Sequence, residues 1–192
     1  MKNLLTTIIA TTTLIASVAR SEAAAVDYFV EVDGIPGEST VAGHSGQIHL
    51  ESFSLQAFQR NLVQPGGSTA SPALAMCRPV TLIIPTDQSW PLLFKACMTG
   101  QHLKKVTLFA DYFADSNGGP TGNFLTVTLE DVLVASVELN NNGDRSTGGS
   151  VGETVTLHFT SVGITYRPVL MNGNFGMPIT TKFNLSSNKT AE

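Results

Sequence analysis

The chain has 192 residues, 42% of them apolar and 14% charged, and its 11 basic and 15 acidic side chains leave a formal charge of −4. That length and apolar share are enough for one domain with a full core and exclude a disordered chain. The few cations are scattered along the sequence, which excludes a nucleic-acid partner and an anionic-membrane surface. The polar quota falls to 22 Thr, 16 Ser, 17 Gly and 11 Asn, a mixture suited to strands and turns rather than helices.

In chain order, Lys2 precedes an uncharged run from Asn3 to Ala19 that contains Leu4, Leu5, Ile8, Ile9, Leu14 and Ile15. Ala23-Ala24-Ala25 before Val26 fits a small-residue cleavage site, with Ser17-Val18-Ala19 as a second one. The run is short for a membrane anchor and is interrupted by threonines. Residues 1–25 are therefore expected to be a signal peptide, leaving a secreted or periplasmic product with no membrane contact after its removal.

Tyr28, Val30 and Val32 alternate with Phe29, Glu31 and Asp33, which is the pattern of a half-buried strand. The run from Gly46 to Phe58 changes phase near Glu51-Ser52, which predicts a β-bulge there. Residues 60–76 read as a long loop, and long loops in compact domains are often functional. Val80–Ile84 is a short apolar strand. Ser89 as N-cap, Pro91 in the first turn and Gly100 as C-cap predict the one helix, with Trp90, Leu93, Phe94 and Cys97 as its inward stripe. Strands follow over 103–112 and 124–139, joined at Asn117-Gly118-Gly119-Pro120, with a second bulge near Glu130-Asp131. A last long strand over 153–166 changes phase once more. After it, 179–185 reads either as an edge strand or as irregular tail.

Long consecutive strands that bend at bulges predict an all-β, mainly antiparallel fold: a small barrel of two sheets with one short α-helix. The expected organisation is signal peptide 1–25, barrel 26–168 and C-terminal extension 169–192. Cys77 and Cys97 are read two ways. A disulfide in an oxidising compartment would close a loop worth about 3 kcal/mol, and the alternative is two buried thiols packing as small apolar groups.

The sequence contains no Gly-rich phosphate loop, G-x-S-x-G, H-E-x-x-H or C-x-x-C. His49 and His158 fall mid-strand on the polar face, and the spacing of the four histidines does not suit a metal site. Glu130 and Asp131 are adjacent on a strand, so they point to opposite faces and do not form a hydrolytic pair. The reading is of a protein that is not an enzyme and takes no cofactor and no metal.

Five segments, in order, resemble the Hcp family, the tube protein of the bacterial type VI secretion system. They are Asp27–Ser39, then His44–Ile48 with Ser52-Phe53-Ser54, Trp90–Gly100, Leu129–Ser136, and Glu153–Phe159 with Tyr166-Arg167-Pro168. The resemblance implies a β-barrel whose copies form hexameric rings. The rings stack into a tube, are expelled by a contractile sheath with its spike, and can carry small effector proteins in the lumen. It places the ring-stacking loop at Gln59–Met76, with Gln59, Arg60, Asn61, Gln64, Pro65, Gly66, Gly67 and Ser68 as its residues. A cleavable signal and a long tail depart from the family pattern. Two other readings remain at this point: a secreted monomeric binding module gripping a glycan or protein with loops 60–76, 115–122 and 140–152, and, behind it, a secreted hydrolase.

Overall fold

A computed structural model describes residues 25–60, 74–113, 121–141 and 151–190. The expected signal peptide up to residue 24, the Asn117–Pro120 turn and the Gly/Asn-rich loop 142–150 lie outside the described residues. In chain order the elements are β1 (Val26–Val32), β2 (Ile48–Leu50), β3 (Ser52–Ser54), β4 (Ala57–Arg60), β5 (Leu74–Cys77), β6 (Val80–Pro85), α1 (Trp90–Thr99), β7 (His102–Tyr112), β8 (Gly122–Asn141), β9 (Val151–His158), β10 (Ser161–Tyr166), β11 (Ile179–Asn184) and β12 (Lys189–Thr190).

One sheet runs β12-β11-β10-β8-β7-β1-β2, and a second runs β3-β6-β9-β8, all antiparallel and sharing β8. The chain passes from β2 to β3 through Glu51, whose N–H donates to the Ile83 carbonyl at 2.9 Å. That passage closes the circuit β1-β2/β3-β6-β9-β8-β7-β1 into a barrel, as the alternation of the long strands predicts. The small radius of such a barrel forces each long strand to leave one partner and take another.

The phase changes in the sequence mark those corners. At Glu51 the run changes partner from β1, where Tyr28 faces Leu50, to β6, where Ser52 faces Ile83. At Asp131, β8 leaves β10 (Glu130 opposite Ser161) for β9 (Leu133 opposite His158). Asp131 sits there with φ of 51°, a left-handed conformation that few non-glycine residues adopt. The extra residues on β8 fall elsewhere than the bulge predicted at Glu130-Asp131: its register slips opposite Ala110-Asp111 and between Val134 and Ser136. Between β9 and β10 the break is at Phe159-Thr160.

The barrel is filled by alternate residues of every strand. Val30, Ile48, Val80, Val106, Leu129 and Val155 have no exposed surface. α1 lays Leu93 and Ala96 on this core, whereas Phe94 is 44% exposed. The expected stripe is thus turned part of a face, because the helix makes its close approach through the small Ala96. Its ends differ from each other in the same way. Gly100 caps the C-terminus in the left-handed conformation, with the Gln101 N–H on the Ala96 carbonyl at 3.0 Å. At the N-terminus the Ser89 hydroxyl makes no capping bond, and Asp87 Oδ1 accepts the Ser89 N–H instead, at 2.7 Å.

One correction and one decided alternative concern segments without strong periodicity. Residues 74–76, expected inside the long loop, belong with Cys77 to strand β5, which pairs with β4 from Ala57/Cys77 to Arg60/Leu74. Residues 179–184 form a full edge strand, with Phe183 opposite Val162 and Ile179 opposite Tyr166.

Candidate assembly surface

Strands β4 and β5 make a two-stranded arm that belongs to neither barrel sheet. It carries the first of the residues assigned to ring stacking: Gln59 lies opposite Ala75 and Arg60 opposite Leu74. Asn61, Gln64, Pro65, Gly66, Gly67 and Ser68 lie outside the described residues. On the arm, Phe58 and Leu74 are each 41% exposed, which is high for large apolar side chains in a strand.

Beneath the arm, β10 and β11 carry the inner face of the sheet past the barrel. Val162 and Ile164 share the face of their barrel partners Leu129 and Val127, and Phe183 joins them from β11. An apolar cavity of about 430 Å³ remains between these residues and Phe58, Met76 and Cys77 of the arm. The arm is tied across it by Asn188, whose Oδ1 accepts the Ala75 N–H at 3.1 Å. Burial pushes the Cys77 thiol up from its ordinary value, so it is a poor nucleophile. Cys77 and Cys97 are both free, half-buried and packed against the core.

The polar clusters hold pieces of the fold together. His44, which no local sequence pattern singles out, meets Asp111 from 67 residues away, Nε2 to Oδ2 at 3.0 Å. Its Nδ1 lies 2.7 Å from Gln47 Oε1, and its ring stacks on Phe29 with centroids 4.1 Å apart. Asn123 donates to Asp111 Oδ1 at 2.8 Å and accepts from Thr126. A histidine–carboxylate pair is two thirds of a catalytic triad, but here the second ring nitrogen is occupied by Gln47 and the imidazole is 9% exposed. The pair therefore pins the 37–47 segment onto the outer face of β1 and β7. Only contacts made by folding could reveal it.

Glu130 and Asp131, expected on opposite faces, both turn outward: the left-handed Asp131 shifts the phase, so Leu129 and Val132 on either side of them are the buried pair, and both carboxylates border one surface recess with His102 and Lys105. Glu130 bonds Lys182 on β11 at 2.8 Å, and Asp131 bonds exposed His102 on β7 at 2.8 Å. The Lys182 hydrogen bond holds the Glu130 carboxyl below its ordinary range. His49 and His158 are exposed, while their neighbours Ile48, Leu50 and Leu157 are buried. Among the described residues, no group of three or more His, Cys, Asp or Glu could hold a metal ion.

The described residues thus form a closed antiparallel barrel with a paired arm and an extension at one sheet edge. The family model described as "Type VI secretion system effector, Hcp" matches residues 29–166. The chain belongs to that family. It is 30% identical over 173 residues to Protein hcp1 of Pseudomonas aeruginosa, covering 87% of this chain and 99% of that one. A second Pseudomonas aeruginosa protein, named "Major exported protein", is 24% identical over 135 residues, 69% of this chain and 72% of the relative. The solved "Structure of a type six secretion system protein" superposes with a TM-score of 0.76 at 23% identity, over 87% of this chain and all of the other.

Proposed function

We propose that the protein is a type VI secretion tube subunit that assembles with copies of itself into hexameric rings and stacks these into a hollow tube. The observation that carries this reading is membership of the Hcp family across the whole barrel, residues 29–166, together with an apolar arm held out from that barrel. The 61–73 segment borne by the arm contacts the next ring, and Gln59 and Arg60 set its base. Sheath, spike and small effector proteins are the partners that follow from a tube of this kind. Residues 1–25 act as an export signal, so this copy assembles outside the cytoplasm.

Negative-stain electron microscopy with light scattering on residues 26–192 tests the reading. Rings of six copies and stacks of them are expected. Deletion of residues 61–73 should leave single rings while removing stacks. A monomer at all concentrations would overturn the assembly reading in favour of a binding module.

A further inference from the structure

One corner of the barrel departs from the rule that buried polar groups are bonded. Glu153 is 1% exposed, placed opposite Ile84 on β6 and Leu139 on β8, and its two carboxylate oxygens are sealed from water with the Thr86 side chain of the adjoining turn as the hydrogen-bonding group beside them. Ser89 Oγ and Trp90 Nε1 are buried without partners. They sit in the turn that follows β6 and in the first residue of α1. Buried orphan groups are rare and call for an explanation.

The charges around Glu153 make its ionised form still less favourable. β6 contributes no titratable side chain. On β8 the nearest is Glu138, which is exposed and belongs to the next register position, opposite Thr154. The 86–89 turn presents Asp87, the carboxylate that accepts the Ser89 N–H. Burial first and the Asp87 charge second push the Glu153 carboxyl from the ordinary 4.5 up to about 7, with the Thr86 side chain acting the other way.

The turn is also a junction. The Gln88 N–H donates to Glu38 Oε1 at 3.1 Å, and the Gln88 side-chain amide donates to the Gly37 carbonyl. We propose that this corner is a proton-operated latch. With Glu153 protonated, the 86–89 turn stays docked on β9; loss of the proton releases the turn, the first turn of α1 and the Gly37-Glu38 segment together. The ladders of β6, β8 and β9 hold Glu153 in place. An uncompensated carboxylate there is relieved by admitting water, and the turn is the part of its surroundings that no ladder holds. The sign is that of a raised carboxyl: the docked state has its full stability below about 4.5 and loses it as the pH rises through about 7.

The chain's one tryptophan, Trp90, lies in the corner and reports on it. The test follows Trp90 emission and amide hydrogen exchange over 86–94 between about pH 5 and pH 9, after correction for intrinsic exchange rates. It compares the wild-type protein with Glu153→Gln and Asp87→Asn. In the wild type, emission should move to the red and protection of 86–92 should fall, with a midpoint near 7. Glu153→Gln should remove the transition. Asp87→Asn keeps the oxygen that accepts the Ser89 N–H and should move the midpoint to lower pH, and it carries the test if Glu153→Gln fails to fold. A corner protected equally across the range overturns the latch, as does a transition that survives Glu153→Gln. Loss of protection that spreads equally through β7 and β8 overturns it too, since that is global unfolding.

Discussion

The barrel and its arm are built from the same kinds of strand, yet they are packed in opposite ways. Inside the barrel, Val30, Val80, Val106 and Leu129 are sealed from water. Between the arm and the β10–β11 extension, Ile164, Met76 and Phe183 are only half-buried and leave a cavity of about 430 Å³. A closed circuit of hydrogen-bonded strands leaves its interior one way to be filled. A two-stranded arm ties itself by Asn188 and a few side chains, and it keeps room to adjust. The barrel therefore holds the fold, and the arm is the part free to answer to a neighbour.

The largest effect should come from the sealed side. Leu129→Ala removes a fully buried side chain at the centre of β8 and should cost about 3 kcal/mol, read as a lower urea midpoint with an unchanged slope. An effect below about 1 kcal/mol would mean that the barrel is packed as loosely as the arm.

This contrast also decides what the sequence made visible. Alternation at Tyr28–Asp33 and at Val106, Leu108, Ala110 and Tyr112 follows from burying one face of a strand, so the barrel strands were legible, and the phase changes at Glu51-Ser52 and within 153–166 marked two of its corners. The burial of Phe29, Thr107 and Asp111 on the other face was not legible, because it depends on the 37–47 segment laid over them. The arm was not legible, because Leu74-Ala75-Met76-Cys77 has no alternation: its strand state comes from pairing with β4. The same holds for the polar ties. His44 with Asp111, and Lys182 with Glu130, are brought together by folding and have no local spacing to announce them. The helix was legible in its extent and in Ser89 at its N-cap position, but the missing capping bond was not, because the Ser89 side chain is buried and its N–H is taken by Asp87.

Enlarging an alanine should have opposite consequences in the two regions. Ala110→Val adds methyl groups at a residue 1% exposed on β7 and should destabilise by about 1–3 kcal/mol through overpacking. Ala75→Val adds them at the wall of the arm cavity and should be neutral or stabilising by up to about 1 kcal/mol. Thermal midpoints of the two variants check this. Equal losses would show that the cavity is not room a side chain can use.

Asn188→Gly should loosen the arm without touching the barrel. It removes the oxygen that accepts the Ala75 N–H and suits a position whose φ is 53°, so backbone strain does not confound it. Exchange of the β5 amides should quicken by roughly fivefold to tenfold, as for a net hydrogen bond of about 1 kcal/mol, while β7 and β8 stay protected. Equal acceleration in both would mean that the arm and barrel open as one unit.

The smallest effect should come from the ion pair that ties the extension to the barrel. Lys182 on β11 reaches Glu130 on β8 at 2.8 Å, with both side chains about two-fifths exposed, so solvent screens most of the attraction. Lys182→Met keeps the aliphatic stem and should change stability by no more than about 0.5 kcal/mol. Its signature is in titration: Glu130, held low by the Lys182 hydrogen bond, should move back up toward the ordinary carboxylate range. A folded-state value held low contributes stability above that range and loses it as the pH falls, so any difference between the variant and the wild type should vanish in acid. Carboxyl NMR titration together with unfolding at neutral and acid pH separates the two outcomes. A loss larger than about 1 kcal/mol at neutral pH would show that the extension depends on this pair, and the division between a sealed barrel and an adjustable margin would have to be redrawn at β10.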